Sequence, residues 1–176
     1  MTRLLPLAGA ALGGALVLAL CLALAGGGEP ATPATAPTFT AADKAFSISA
    51  PRGWTAVADG SAATVLRRAD ERGVLVVHRR PQLAGSLESL AAGLRRTLER
   101  KLPGARPAGV RTVPIGGAGG LVFTFVRPAS GQVQSVVVVP AGDHSYTLDL
   151  LPDGDAPDVA RELAAMVRSF APEDQA

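Results

Sequence analysis

The chain holds only two histidines, His78 and His144, in 176 residues. Imidazole titrates near neutral pH and is the commonest general acid or base, so both are natural places to look for chemistry. Asp143 precedes His144, which gives half of a nucleophile, base and orienter arrangement. The other half has no local signature. Neither Gly-x-Ser-x-Gly nor Ser-x-x-Lys occurs. His144 lies in an expected hairpin, where a solvated histidine is ordinary, and His78 ends an apolar strand beside Arg79 and Arg80 with no third group to complete a catalytic set. Gly116-Gly117-Ala118-Gly119-Gly120 invites a phosphate cradle, but such loops lead into a helix. Here Leu121-Val122-Phe123-Thr124-Phe125-Val126 follows, an extended pattern, so the glycines read as a hairpin turn. Asp149, Asp153, Asp155 and Asp158 are dense enough to suggest calcium, yet they lack the alternating order and distant glutamate of a calcium loop. Turn and helix-cap roles account for Asp153, Asp155 and Asp158. The single cysteine, Cys21, lies in an apolar run, so the rest of the chain has no disulfide, thiol nucleophile or thiolate metal site. The expectation is no catalytic, cofactor or metal residue.

The elements that would hold these residues begin after an unusual N-terminus. Arg3 precedes an apolar stretch from Leu4 to Ala25. A basic head and apolar body make an export signal, and this body exceeds the roughly 7–15 residues of an ordinary signal core. It also passes the threshold of about 18 residues for a membrane span. Three fates stay open: cleavage after Ala25, retention as a signal-anchor helix, or lipidation at Cys21. The last suits the sequence least, because Leu20 stands where a small residue should precede the cysteine. With Arg3 inside, the remainder faces outward. Residues 26–40, rich in Gly, Pro, Ala and Thr, read as a linker, with ordered chain beginning near Thr38. The folded domain is expected over 41–172 and a short tail over 173–176.

Within the domain, Phe46 to Ser49 alternates apolar and polar, as a half-buried strand does. Pro51-Arg52-Gly53 makes a turn into Trp54–Val57. Thr64–Arg68 and Val74–Arg79 form a hairpin through Asp70 to Gly73, and the second of these strands is apolar enough to be central. Ser86 caps a helix to about Leu102, with Leu87, Leu90, Ala91, Leu94, Leu98 and Leu102 at helical spacing. Glu88 in its first turn and Arg100 and Lys101 in its last suit the helix dipole. Four strands follow at Val110–Ile115, Leu121–Val126, Val133–Val139 and Tyr146–Leu151, joined by short turns into a meander. A last helix spans about Ala156 to Phe170, with Asp155 as its N-cap and Asp158 completing an approximate capping box. The stripe Val159, Leu163, Met166, Val167 and Phe170 faces inward. An antiparallel sheet of six or seven strands with two helices packed on it, an α+β domain, is the economical solution.

Phe46-Ser47-Ile48-Ser49-Ala50-Pro51-Arg52-Gly53-Trp54 resembles the opening F-x-I-x-x-P-x-G-W of the PsbP-like superfamily of α-β-α sandwiches, which includes DcrB-like and LpqN-like bacterial envelope proteins. Met166-Val167-Arg168-Ser169-Phe170 is similar to the final helix of that group, which ends in Ser-Phe. The likeness covers about Phe46 to Phe170. Its motifs hold no catalytic residue, so the resemblance implies a non-enzymatic domain that binds partners or stabilises assemblies. Some relatives are lipidated, and some DcrB-like relatives act as cytoplasmic chaperones, a role that the apolar N-terminus opposes.

Charge gives the remaining hint. From Arg67 to Arg111 there are eleven basic and four acidic residues, a local +7. From Asp143 onward there are eight acids and two arginines, a local −6. An electrically polar molecule is expected, with Arg79, Arg80, Arg95, Arg96 and Arg100 as a possible partner-facing basic surface. An anionic surface or an envelope protein could meet it. Nucleic acid is not expected, because no basic-aromatic motif occurs. The functional expectation is an exported, non-enzymatic accessory or binding module of the bacterial cell envelope, membrane-anchored or secreted. The alternative is an exported hydrolase using His144 and Asp143 with an unidentified nucleophile.

Overall fold

The computed structural model describes residues 37–60, 62–81, 86–153 and 156–173. Among the described residues ten strands and two helices follow one another in chain order. Strands β1 (Thr38–Thr40) and β2 (Phe46–Ser49) lead into β3 (Trp54–Asp59), β4 (Ala63–Arg68) and β5 (Gly73–Pro81). Helix α1 (Leu87–Lys101) comes next, then β6 (Arg106–Ile115), β7 (Ala118–Val126), β8 (Val133–Ala141) and β9 (His144–Pro152). Helix α2 (Pro157–Arg168) and a two-residue strand β10 (Ala171–Pro172) close the domain.

Seven strands form the main antiparallel sheet in the order β3-β4-β5-β9-β8-β7-β6. The expected hairpin is β4-β5 and the expected meander is β6 to β9. Strand β5 is interior, between β4 and β9, as its apolar run requires. The first alternating segment is a half-buried strand, as expected. Strand β2 does not join this sheet; it pairs with β1 and β10 in a separate three-stranded sheet. Strands of three and two residues are too short to show a period, so β1 and β10 leave no pattern in the sequence. Thr38–Thr40, placed in the linker by composition, are the residues of β1. The hydrophobic helix expected over residues 1–25 lies outside the described residues, as do the linker to residue 36, Asp155 and residues 174–176. Among the described residues no helix is long and apolar enough to cross a membrane.

The helices lie on opposite faces of the sheet. Residues Leu66, Leu75, Val77, Val137, Val139, Tyr146, Leu148 and Leu150 point to one face and meet α2 and β2 in the main core. Helix α2 contributes Val159, Ala160, Leu163, Ala164, Met166 and Val167, each without measurable exposure. The expected stripe is present, widened by two alanines that let the helix sit close. Leu121, Phe123 and Phe125 alternate to the other face. Phe123 and Phe125 pack with Leu98 of α1, flanked by half-buried Leu94, Leu102 and Val136. Ser86 caps α1 as expected, its hydroxyl oxygen accepting from the Ser89 amide at 3.3 Å.

Candidate functional site

The residues of the two segments Phe46–Trp54 and Met166–Phe170 converge inside the domain. Phe46, Tyr146 and Phe170 form an aromatic cluster, with Phe170 5.3 Å from Phe46 and 5.2 Å from Tyr146 between ring centroids. The Tyr146 hydroxyl donates to the Ala45 carbonyl at 2.9 Å, satisfying the one polar atom of a fully buried ring. Ser169 ends α2, accepts from the Ser49 amide at 2.9 Å and donates to the Met166 carbonyl at 2.8 Å. One hydroxyl thus ties β2 to the end of the last helix. Gly53, at φ +87°, turns the chain from the motif's proline into β3, a conformation that side chains with a Cβ resist. Trp54 is 7% exposed and its indole N–H donates to Glu162 of α2 at 2.8 Å. Trp54 is core, as expected, and so are Phe123 and Phe125.

Glu162 belongs to the largest ionic network among the described residues. Arg68 on β4 reaches Asp158 at 2.9 Å, Glu162 at 3.3 Å and Asp70 at 3.5 Å, and Arg72 reaches Asp158 at 3.8 Å. The hydrogen bond from Arg68 holds the Asp158 carboxyl below its usual range, and the same bond raises Arg68. Asp158 also sits in the first turn of α2, where the helix dipole favours an anion.

The two histidines each meet an aspartate, and the pairs lie apart. His144 Nδ1 contacts the neighbouring Asp143 Oδ1 at the β8-β9 hairpin, where Asp143 is 83% exposed. The adjacent hydroxyl, Ser145, donates to the Pro81 carbonyl across the sheet at 3.3 Å. His78 on β5 lies 3.6 Å from Asp149 on β9. Register places Val76 opposite Asp149 and His78 opposite Thr147, so the pair is a diagonal cross-strand neighbour. Burial raises the Asp149 carboxyl, and the charges of His78 and then Arg80 partly oppose that rise. Sequence reading did not find this pair, because 71 positions separate the two residues. Only the β5-β9 pairing joins them.

The other candidates resolve into local roles. Gly116 and Gly117 are the turn between β6 and β7, and a strand follows them as expected. The four aspartates are dispersed: Asp149 faces His78, Asp158 faces Arg68, the Asp153 amide donates to the Arg72 carbonyl, and Asp155 lies outside the described residues. Among the described residues no three His, Cys, Asp or Glu side chains gather as metal ligands. A cleft lined by Asp43, Phe46, Thr64, Arg79 and Tyr146, among others, has room for about one water molecule.

A scan against protein-family models and a search of curated proteins found no match. Solved structures do match. Cyanobacterial PsbP from Synechocystis sp. PCC 6803 superposes with a TM-score of 0.60 at 16% identity, covering 84% of this chain and 98% of that one. The domain has a PsbP-like fold. A Bacteroides thetaiotaomicron structure gives a TM-score of 0.53 at 15% identity, over 80% of this chain and 50% of that one. LpqN of Mycobacterium tuberculosis, described as involved in cell envelope biogenesis, gives 0.49 at 13% identity, over 80% of this chain and 86% of that one.

On this PsbP-like domain the five arginines do not form one surface. Arg79 and Arg80 are consecutive in β5 and so point to opposite faces. Arg79 lies on the α2 side, in register with Tyr146, and pairs with Asp43 at 3.6 Å. Arg80 lies on the α1 side and acts on Asp149. Arg95, Arg96 and Arg100 do share a surface, the exposed side of α1. The fold also brings the basic and acidic parts of the sequence together: Arg68 and Arg72 meet Asp158 and Glu162. Charge polarity along the chain is therefore partly neutralised in space.

Proposed function

We propose that the protein is a non-enzymatic accessory or binding module of a bacterial cell envelope, held outside the cytoplasm by its N-terminal segment. The observation that supports this best is the employment of its polar side chains. Trp54, Tyr146, Ser169, Arg68 and Glu162 bond to other parts of the domain, and the motif residues of the PsbP-like fold are packing residues. The basic residues of α1 remain turned outward. The apolar stretch from Leu4 to Ala25, with Arg3 before it, supports the location.

Fractionation of cells tests the location. The full chain should sediment with membranes and resist carbonate extraction, or appear outside the cell after cleavage, with the domain open to added protease. A soluble cytosolic chain of full length would overturn it. A second reading, the exported hydrolase, rests on the contact between His144 and Asp143. It needs a nucleophile, and the nearest hydroxyl in sequence, Ser145, is bonded to Pro81. Covalent labelling by a fluorophosphonate, lost in His144→Ala, would favour the hydrolase over the binding module.

A further inference from the structure

We infer that the outer side of α1, with the start of β6, docks on an anionic phospholipid surface. The inference deepens the proposed function, which supplies the membrane, and it rests on that reading. Arg95, Arg96, Arg100 and Lys101 are exposed on α1, and Arg106 is exposed at the start of β6, four residues past the helix cap. Among the described residues none of these five takes part in an ion pair. Two acidic residues, Glu88 and Glu99, lie on the same helix and leave the group a net positive charge.

Folding explains only part of this set. Arg100 and Lys101 lie in the last turn, where the helix dipole favours cations. That reason does not reach Arg95 and Arg96 in the body of the helix, or Arg106 beyond it. Arg96 and Arg100 are one turn apart, and like charges at that spacing repel. An external anion removes the repulsion. Apolar surface lies beside the cations. Val110 is one of two large hydrophobic residues left exposed among those described, at 39%. It pairs with Phe123, the residue on which Leu98 of α1 rests, so it faces the same side as the helix. Half-buried Leu90, Leu94 and Leu102 continue that apolar border. Exposed cations on the side of the sheet that also carries partly covered apolar side chains are the composition of a helix that meets a bilayer interface.

Reach permits the contact. A twelve-residue proline-rich sequence such as Gly26 to Pro37 spans at most about 40 Å. A domain of this size has a radius of gyration of about 14 Å. Any face can therefore approach the bilayer from which the tether leaves, and electrostatic attraction selects the basic one.

The test uses the full chain with vesicles of phosphatidylcholine alone or with phosphatidylglycerol added. Sedimentation reports attachment, and hydrogen–deuterium exchange of the α1 amides reports docking. With anionic vesicles the α1 amides should exchange roughly tenfold more slowly than with neutral ones, and added salt should reduce the difference. The triple variant Arg95→Gln, Arg96→Gln, Arg100→Gln keeps helix-forming side chains and should fold with an unchanged melting midpoint. It should show equal exchange in both vesicle types. Equal α1 exchange for the unaltered, sedimented chain in both lipids would overturn the inference. Protection that requires solubilised envelope proteins and ignores lipid charge would overturn it too, and would assign the surface to an acidic protein. A chain that sediments only with anionic vesicles, through these arginines, would support the inference while removing the apolar anchor. Sedimentation with neither lipid would remove both.

Discussion

The two helices of this domain have similar lengths and opposite relations to the sheet. Helix α2 is sunk: six of its twelve residues are fully buried, and its two carboxylates, Asp158 and Glu162, are bonded to Arg68 of β4, Glu162 also to Trp54 of β3. Helix α1 is seated on one cluster, with Leu98 its single buried residue among those described. Burial of apolar area is the main favourable term in folding, so α2 belongs to the cooperative core. The smaller burial of α1 leaves its surface for other uses. The hydrophobic stripe of a helix does not report how deeply it sits. Both stripes are clear in the sequence, and the partner surface decides.

Truncating each helix tests this contrast most directly. Leu163→Ala in α2 should lower stability by about 3–5 kcal/mol in denaturant titration, the range for a fully buried leucine. Leu98→Ala in α1 should lower it by about 2 kcal/mol or less, since the site lies at the border of a small cluster. Equal losses would mean that α1 is as deeply anchored as α2. Gly73→Ala addresses how tightly α2 is docked. An added Cβ would stand 2.6 Å from Val159 of α2 and 2.8 Å from the Trp54 ring. The expected loss is about 1–3 kcal/mol, from overpacking. Ser86→Ala should cost about 1 kcal/mol and speed amide exchange in the first turn of α1, leaving α2 amides unchanged.

The smallest expected effects are pH-dependent and carry opposite signs on the two faces. Asp158 has a folded pKa below its unfolded value, so its contribution is present above the unfolded pKa and lost as pH falls through the folded one. Asp158→Asn should lower the melting midpoint at neutral pH and flatten the acid limb. Asp149 has a folded pKa above its unfolded value, so its ionisation opposes folding at neutral pH and this penalty vanishes as pH falls below the unfolded pKa. Asp149→Asn should leave the midpoint at neutral pH equal or higher. A lower midpoint would mean that the His78 contact outweighs desolvation.

Periodicity and turn residues made both helices, the β4-β5 hairpin and the β6-β9 meander legible, because each depends on spacing within a few residues; the layering of helices on both faces of the sheet was implied only by the family resemblance. The turn role of Gly116 and Gly117 was legible for the same reason: the residues after them alternate as a strand. Trp54 and Phe170 could be placed in the core because they are large, apolar and set in motifs of packing residues. Three things needed tertiary structure. The small β1-β2-β10 sheet joins chain ends 120 or more positions apart, through strands too short to carry a pattern. The pair His78 and Asp149 exists only through β5-β9 register. Arg79 and Arg80 look like one basic site in sequence, yet the pleat sends them to opposite faces, one to Asp43 and one towards Asp149. Local patterns encode local geometry and hydrophobic sidedness. Which distant charges meet, and which are left facing outward, follows from strand order, and strand order is set by how the whole chain buries its apolar surface.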